Sequence, residues 1–170
     1  MDCLDAIHTR RSVRQFTAEP VTDEQLEVLL RAAMAAPSAG NQQSWRFVVV
    51  RDAETRLRLA EATPYGAPMG RASLGIVVLA DTTAETFPGN WPTDCAAATE
   101  NLLLAAHAIG LGAVWLGVYP GDEREAAVGE IVGAVVGVRP FSMIAIGPAE
   151  APGPVVDRFE PEHVRQERWG

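Results

Sequence analysis

The stretch Pro92-Thr93-Asp94-Cys95-Ala96-Ala97-Ala98-Thr99-Glu100-Asn101-Leu102-Leu103-Leu104-Ala105-Ala106-His107-Ala108-Ile109, continued by Gly110-Leu111-Gly112-Ala113-Val114-Trp115-Leu116-Gly117-Val118-Tyr119, decides the fold. Residues 92–109 are rich in Ala and Leu with few polar breaks. A helix this apolar all round cannot sit on a surface, so it is expected to be the central helix of the domain. Gly110 and Gly112 stop it in the manner of a C-cap, and Ala113 to Tyr119 then reads as a strand. The same helix-turn-strand unit explains the apolar run Leu102 to Val118, which is shorter than the ~20 residues a membrane-spanning helix needs. That run is also broken by His107 and three glycines.

Working outward, Thr22 and Gln25 form a capping-box pattern, and Leu26, Leu29, Leu30 and Ala33 repeat at helical spacing until Pro37 and Gly40 stop the chain. Asp2 can cap a short helix through His8 that turns Leu4, Ile7 and Cys3 inward. Trp45 to Val50 and Leu74 to Ala80 are short apolar runs that read as buried strands, with one helix expected between them. Asp122 with Glu125 is expected to cap a helix whose Ala127, Val128, Ile131 and Val132 form one stripe, and Phe141 to Ile146 gives a fourth strand. After Gly147 come four prolines by Pro161, then charges with few apolar anchors. Such a tail cannot build its own core and is expected to wrap something. The expectation is one α+β layered domain over residues 1–170, with residues 148–170 as an extended C-terminal arm.

A length of 170 residues suits a single core. With 48% apolar and 21% charged residues, disordered and fibrous classes are excluded. The formal charge of −8 repels a nucleic-acid backbone or an anionic membrane. All 14 basic residues are Arg, whose planar fork suits carboxylate or phosphate. Acid stands at Asp2 and Asp5, where a signal peptide would carry positive charge. Cys3 and Cys95 form no C-x-x-C pair, and His8, His107 and His163 have no metal-ligand spacing. No metal is expected, and a reducing, cytoplasmic setting fits the two separate thiols.

Polar residues gather at two element boundaries. In Arg10-Arg11-Ser12-Val13-Arg14, three guanidiniums within five residues can hold a dianionic phosphate, with Ser12 and backbone N–H groups adding donors; a solvated basic loop is the plainer alternative. In Pro37-Ser38-Ala39-Gly40-Asn41-Gln42-Gln43-Ser44-Trp45, neutral amides and a hydroxyl lie between a strong helix and a buried strand, where ligand contacts are common. The same residue types would also serve in any turn.

Taken together, these two segments resemble the paired signatures of the nitroreductase family, which binds FMN. Asp94, Ala97 to Asn101, Leu104-Ala105-Ala106 and Gly110 to Gly117 are similar to that family's central helix and following strand. Arg158-Phe159 through Glu167-Arg168-Trp169 is similar to the arm that ends its shorter members. The resemblance runs from Leu4 to Trp169 and implies a layered sandwich: a mostly antiparallel central sheet flanked by helices, with the arm crossing to the partner subunit of a homodimer.

By that resemblance, Arg10 and Ser12 hold the FMN phosphate, with Arg11 beside them and Arg168 joining from the tail. Arg14 sits at the pyrimidine edge of the flavin, where a guanidinium stabilises the negative charge that hydride uptake leaves there. Pro37, Ser38 and Asn41, with Gln43, approach from the other subunit. Trp115, Leu116 and Gly117 lie against the ring and offer backbone N–H to its reactive nitrogen. The implied activity takes hydride from NADH or NADPH and passes it by a ping-pong mechanism to an electron-poor acceptor such as a nitroaromatic or quinone. No catalytic dyad is expected, because the cofactor carries the chemistry.

The sequence departs from the family where Ser44 replaces the usual Pro before Trp45. It also lacks, in Tyr65 to Arg71, a counterpart to the side-chain amide aimed at the flavin carbonyls, and it is too short for the helical excursion of larger members. Two alternatives stand beside the reductase reading. One is a relative that uses reduced flavin for dehalogenation or degrades it to a benzimidazole; the other is a non-catalytic flavin-binding module that senses redox state.

Overall fold

The computed structural model describes residues 1–151 and 153–169. In chain order the elements are α1 (Cys3–Thr9), α2 (Asp23–Met34), β1 (Trp45–Val50), α3 (Ala53–Glu61), α4 (Ala67–Arg71), β2 (Leu74–Asp81), α5 (Trp91–Ala108), β3 (Gly112–Gly117), α6 (Asp122–Val132) and β4 (Val138–Gly147). The four strands form one antiparallel sheet in the order β1-β2-β4-β3. This is the α+β layered architecture expected from the sequence.

Side-chain alternation along each strand creates two cores, one on each face of the sheet. Leu74, Ile76 and Val78 of β2 and Ile144 and Ile146 of β4 meet α2 and α5 on one face. Val77, Leu79, Met143 and Ala145 meet the opposite face, which α3, α4 and α6 cover. Leu29, Leu102, Ile144 and Met143 are fully buried, each worth roughly 1.5–3 kcal/mol of removed apolar surface.

The capping box at α2 forms as expected: Thr22 Oγ1 accepts from the Gln25 N–H (3.2 Å) and Gln25 Oε1 accepts from the Thr22 N–H (2.9 Å). The apolar helix α5 lies at the centre, with Cys95, Ala98, Leu102 and Ala106 wholly buried. Gly110 follows it at φ +82°, a left-handed conformation that favours glycine.

Four details differ from the sequence reading. Leu4 and Ile7 point outward, 64% and 48% exposed, and only Ala6 of α1 is buried; Ile7 instead borders a cavity shared with the tail. Two helices separate β1 from β2, because five residues of α4 are too few to show a period. Gly121, not Asp122, occupies the cap of α6; the acids fill its first turn, where the helix dipole favours them, and Glu125 accepts two bonds from Arg139 (3.0 and 2.8 Å). Finally, β4 begins at Val138, because a bulge at Val78/Leu79 makes Phe141 the extra residue and admits Pro140 into the strand.

Beyond β4 the chain is briefly held by a Phe16–Ala149 bridge and by Thr17 N–H donating to the Pro148 carbonyl (2.9 Å). From Gly153 on, Val155, Phe159, Val164 and Trp169 are all exposed, with a 3-10 turn at Pro161–His163. Among the described residues, no helix is long and apolar enough to cross a membrane.

Candidate functional site

Residues 10–14 run beside the outer edge of β3, tied there by a Ser12–Ala113 bridge in which the Val13 N–H donates to the Ala113 carbonyl (2.9 Å). Backbone groups alternate sides along a strand. The Ala113 carbonyl faces Val13, so the N–H and C=O groups of Trp115 and Gly117 face the same free edge. An ideal Cβ built at Gly117 meets nothing within 4 Å. The edge is open to a planar ligand.

A cavity of about 530 Å³ lies against this edge. Arg14, Trp115, Leu116 and Gly117, all named from the sequence, line it together, and they are joined by Arg71 from α4 and Arg124 from α6. No carboxylate is among its lining residues, so three guanidiniums make it electropositive in a protein of charge −8. Arg124 is fixed by donation from Nε to the Val118 carbonyl (3.1 Å). Arg71 and Arg124 carried no sequence signal, since their convergence depends on the packing of α4 and α6 against β3.

Arg10 and Arg11 line a second cavity of about 450 Å³ between α1 and the tail, which also includes Arg158. Arg10 Nε lies 3.1 Å from Glu100 Oε1. Arg11 turns toward the tail, donating to the carbonyls of Pro154 (2.8 Å) and Val156 (3.1 Å). Ser12 and Arg14 border a smaller space with Glu150. Arg168 is exposed in the tail and lines neither large cavity.

Pro37, Ser38, Asn41 and Gln43 are at the other edge of the sheet, in the loop that enters β1. Three strand spacings, roughly 14 Å, separate β1 from β3. The loop is tightly wound: Gly40, Asn41 and Gln43 have φ of +53°, +57° and +50°. Ser38 Oγ accepts from the Gln43 N–H (3.1 Å), and Gln43 Nε2 donates to Asn41 Oδ1 (2.9 Å). Beneath it, the buried Asp94 accepts from the Ala39 N–H (2.9 Å) and Gln42 Nε2 (2.7 Å). Gln42 Oε1 in turn accepts from the N–H groups of Thr86 and Phe87. Asp94 and Gln42 are thus supports that the site residues named from sequence did not include.

His107 is half-buried near the end of α5 and pairs with Thr9. Thr9 Oγ1 donates to the Asp5 carbonyl (2.6 Å), so the hydroxyl accepts from His107 Nε2 at 2.7 Å. Burial, then Arg10 and Arg11, hold its pKa below the usual histidine value. Among the described residues no group of His, Cys, Asp and Glu could hold a metal ion.

Residues 7–86 and 63–147 match the nitroreductase family. The chain is 44% identical over 172 residues to an Archaeoglobus fulgidus protein provisionally named NADH dehydrogenase/NAD(P)H nitroreductase, covering 99% of each chain. The crystal structure of a Clostridium acetobutylicum protein, provisionally an NADH oxidase, superposes with a TM-score of 0.94 at 40% identity, covering 97% of this chain and all of that one. A provisional nitroreductase from Desulfovibrio desulfuricans, solved in complex with FMN, gives a TM-score of 0.84 at 34% identity, covering 100% of this chain and 99% of the other. On both the fold and the sequence, the chain belongs to the nitroreductase family.

Proposed function

We propose that this protein is an FMN-dependent oxidoreductase that takes hydride from NADH or NADPH and reduces a small electron-poor acceptor, such as a nitroaromatic or quinone, by alternating the two in one cavity. The observation that carries the reading is the convergence of Arg14, Arg71 and Arg124 on the free main-chain edge of Trp115 to Gly117. FMN, when bound, supplies the hydride chemistry.

The chain's own groups hold and tune it. Trp115 and Gly117 offer main-chain donors to the ring, with Leu116 between them. Arg14 places a guanidinium at the pyrimidine edge, stabilising negative charge there, and Arg71 supplies a guanidinium donor where the segment Tyr65 to Arg71 has no side-chain amide. Arg10 and Ser12 bind the phosphate by charge-assisted bonds, while Arg11 fixes the start of the arm. Arg168 adds a cation to the phosphate from the tail.

Within one copy, residues 37–43 and the free edge of β3 lie at opposite edges of the sheet, a separation that supports a second copy as their source. On this reading Pro37, Ser38 and Asn41 come from a second copy, in a homodimer with two flavins at the interface and the extended arm crossing between subunits. The test is the absorption spectrum of the purified protein, its mass in solution, and anaerobic bleaching by NADH or NADPH. A yellow dimer bleached by a nicotinamide and reoxidised by a quinone is expected. A preparation that stays colourless in excess FMN overturns the reading.

A further inference from the structure

A separate cavity of about 370 Å³ lies at the other end of the sheet, where β1 ends and β2 begins. Thr17, Arg51, Arg56, Arg71 and Ser73 line it, and no carboxylate does. Arg51 is anchored, donating to the Val21 carbonyl (2.7 Å) and to the exposed Asp23 (2.7 Å). Arg56 donates through one amino group to the Arg51 carbonyl, but its Nε is buried without a partner. The hydroxyl oxygens of Thr17 and Ser73 are likewise buried and unpartnered among the described residues.

Three of the six such buried orphan atoms in the described structure thus belong to residues that line one cavity. Buried polar groups are almost always satisfied, and those left open are commonly completed by water or an ion. Here all three can donate, and the neighbouring charges are guanidiniums. Water would complete hydroxyls alone; it would not account for three arginines lining one cavity, of which Arg51 alone among the described residues is paired with a carboxylate, the exposed Asp23. The backbone on either side is fixed, Thr17 by its bond to Pro148 and Ser73 by its place beside β2.

We propose that this cavity is a second anion site, binding a tetrahedral oxyanion of the phosphate class through Arg56, Arg71, Thr17 and Ser73, with Arg51 as a fixed charge behind them. It lies outside the flavin cavity and shares only Arg71 with it. The ligand is inorganic phosphate or the phosphate of a larger molecule such as a nicotinamide dinucleotide.

The experiment uses the purified flavin-loaded protein, whose flavin phosphate site is already filled. Thermal unfolding and calorimetric titration are followed with inorganic phosphate against chloride at equal ionic strength, and separately with adenosine 2′,5′-bisphosphate. Saturable stabilisation by either phosphate source is expected, weakened about tenfold or more in affinity by Arg56→Met. Thr17→Val removes only an unpartnered hydroxyl, so it should leave phosphate-free melting unlowered while weakening the anion several-fold. Binding of the bisphosphate alone, lost in Arg56→Met, supports the site with a dinucleotide as its source. No saturable binding of either compound, or affinities unchanged in both variants, overturns the proposal. The visible spectrum recorded alongside keeps that result separate from the flavin assignment.

Discussion

Asp94 and Gln42 stand 52 positions apart and are joined by a 2.7 Å hydrogen bond from Gln42 Nε2 to Asp94 Oδ2. The other carboxylate oxygen holds the Ala39 N–H. One buried side chain of the central helix therefore clamps a loop in which three residues have positive φ. Asp94→Ala leaves two donors unpaired and should cost roughly 2–4 kcal/mol in urea unfolding. It should also weaken FMN affinity at least about tenfold, since Asn41 loses its support. Asp94→Asn, which keeps one acceptor oxygen, should fall between the two.

Arg10 shares its charge with Glu100 at 3.1 Å, both partly exposed. Arg10→Ala should loosen FMN by about tenfold or more, read as flavin lost during purification or dialysis. Glu100→Gln frees the guanidinium, and FMN should bind about twofold to fivefold more tightly, in keeping with the worth of an exposed ion pair. Full flavin retention by Arg10→Ala would remove that residue from the phosphate site.

Arg14→Gln takes a positive charge from the cavity proposed to hold the flavin while keeping a donor. The midpoint potential should drop by roughly 30 mV, which for a two-electron couple corresponds to about 1.4 kcal/mol. A spectroelectrochemical titration with an unchanged midpoint would place Arg14 away from the ring.

His107 has its pKa lowered in the fold by burial and by the nearby Arg10 and Arg11. The neutral ring is the stable form, so its contribution is present above the ordinary histidine value of 6.5 and is lost as pH falls below it. Denaturation midpoints should decline between pH 6.5 and 5 more steeply in the native protein than in His107→Asn. Parallel curves would exclude this histidine as a source of acid sensitivity.

Burial, then Asp94 and Glu85, push the Cys95 thiol up to about 12, while Cys3 is exposed. At pH 9 the Cys95 thiolate amounts to on the order of one molecule in a thousand. Iodoacetamide should therefore label one thiol in the folded protein, at Cys3, and two in denaturant, as mass spectrometry of the intact chain would report.

Much of the architecture could be read from residue order because its cues are local. The Thr22–Gln25 box, the apolar length of α5 and the β-branched runs of β1 and β2 are each decided within a few residues. Pro140 misled the start of β4, since a proline reads as a strand boundary until the partner strand is seen to accept a bulge. Leu4 and Ile7 misled for another reason: their apolar faces lie against the tail's cavity and solvent, not the sheet. At the site, Arg14 and Trp115 to Gly117 were legible through resemblance, and the structure brings them to one cavity. Arg71 and Arg124 were not, because nothing within either helix says that both ends reach the edge of β3.

The alternation of β2 and β4 between two faces also sets where this polypeptide can change length. One inserted residue in 74–80 not absorbed as a bulge would exchange the apolar side chains that follow it between the layers above and below the sheet, and the pairing on both flanks of β2 would have to slip with it. Insertions and deletions are best tolerated where no such parity is kept, as in the turns at 62–66 and 85–90. The first of these turns leads directly into α4, so lengthening there would remodel the roof over the cavity at the edge of β3 without disturbing the frame that carries it.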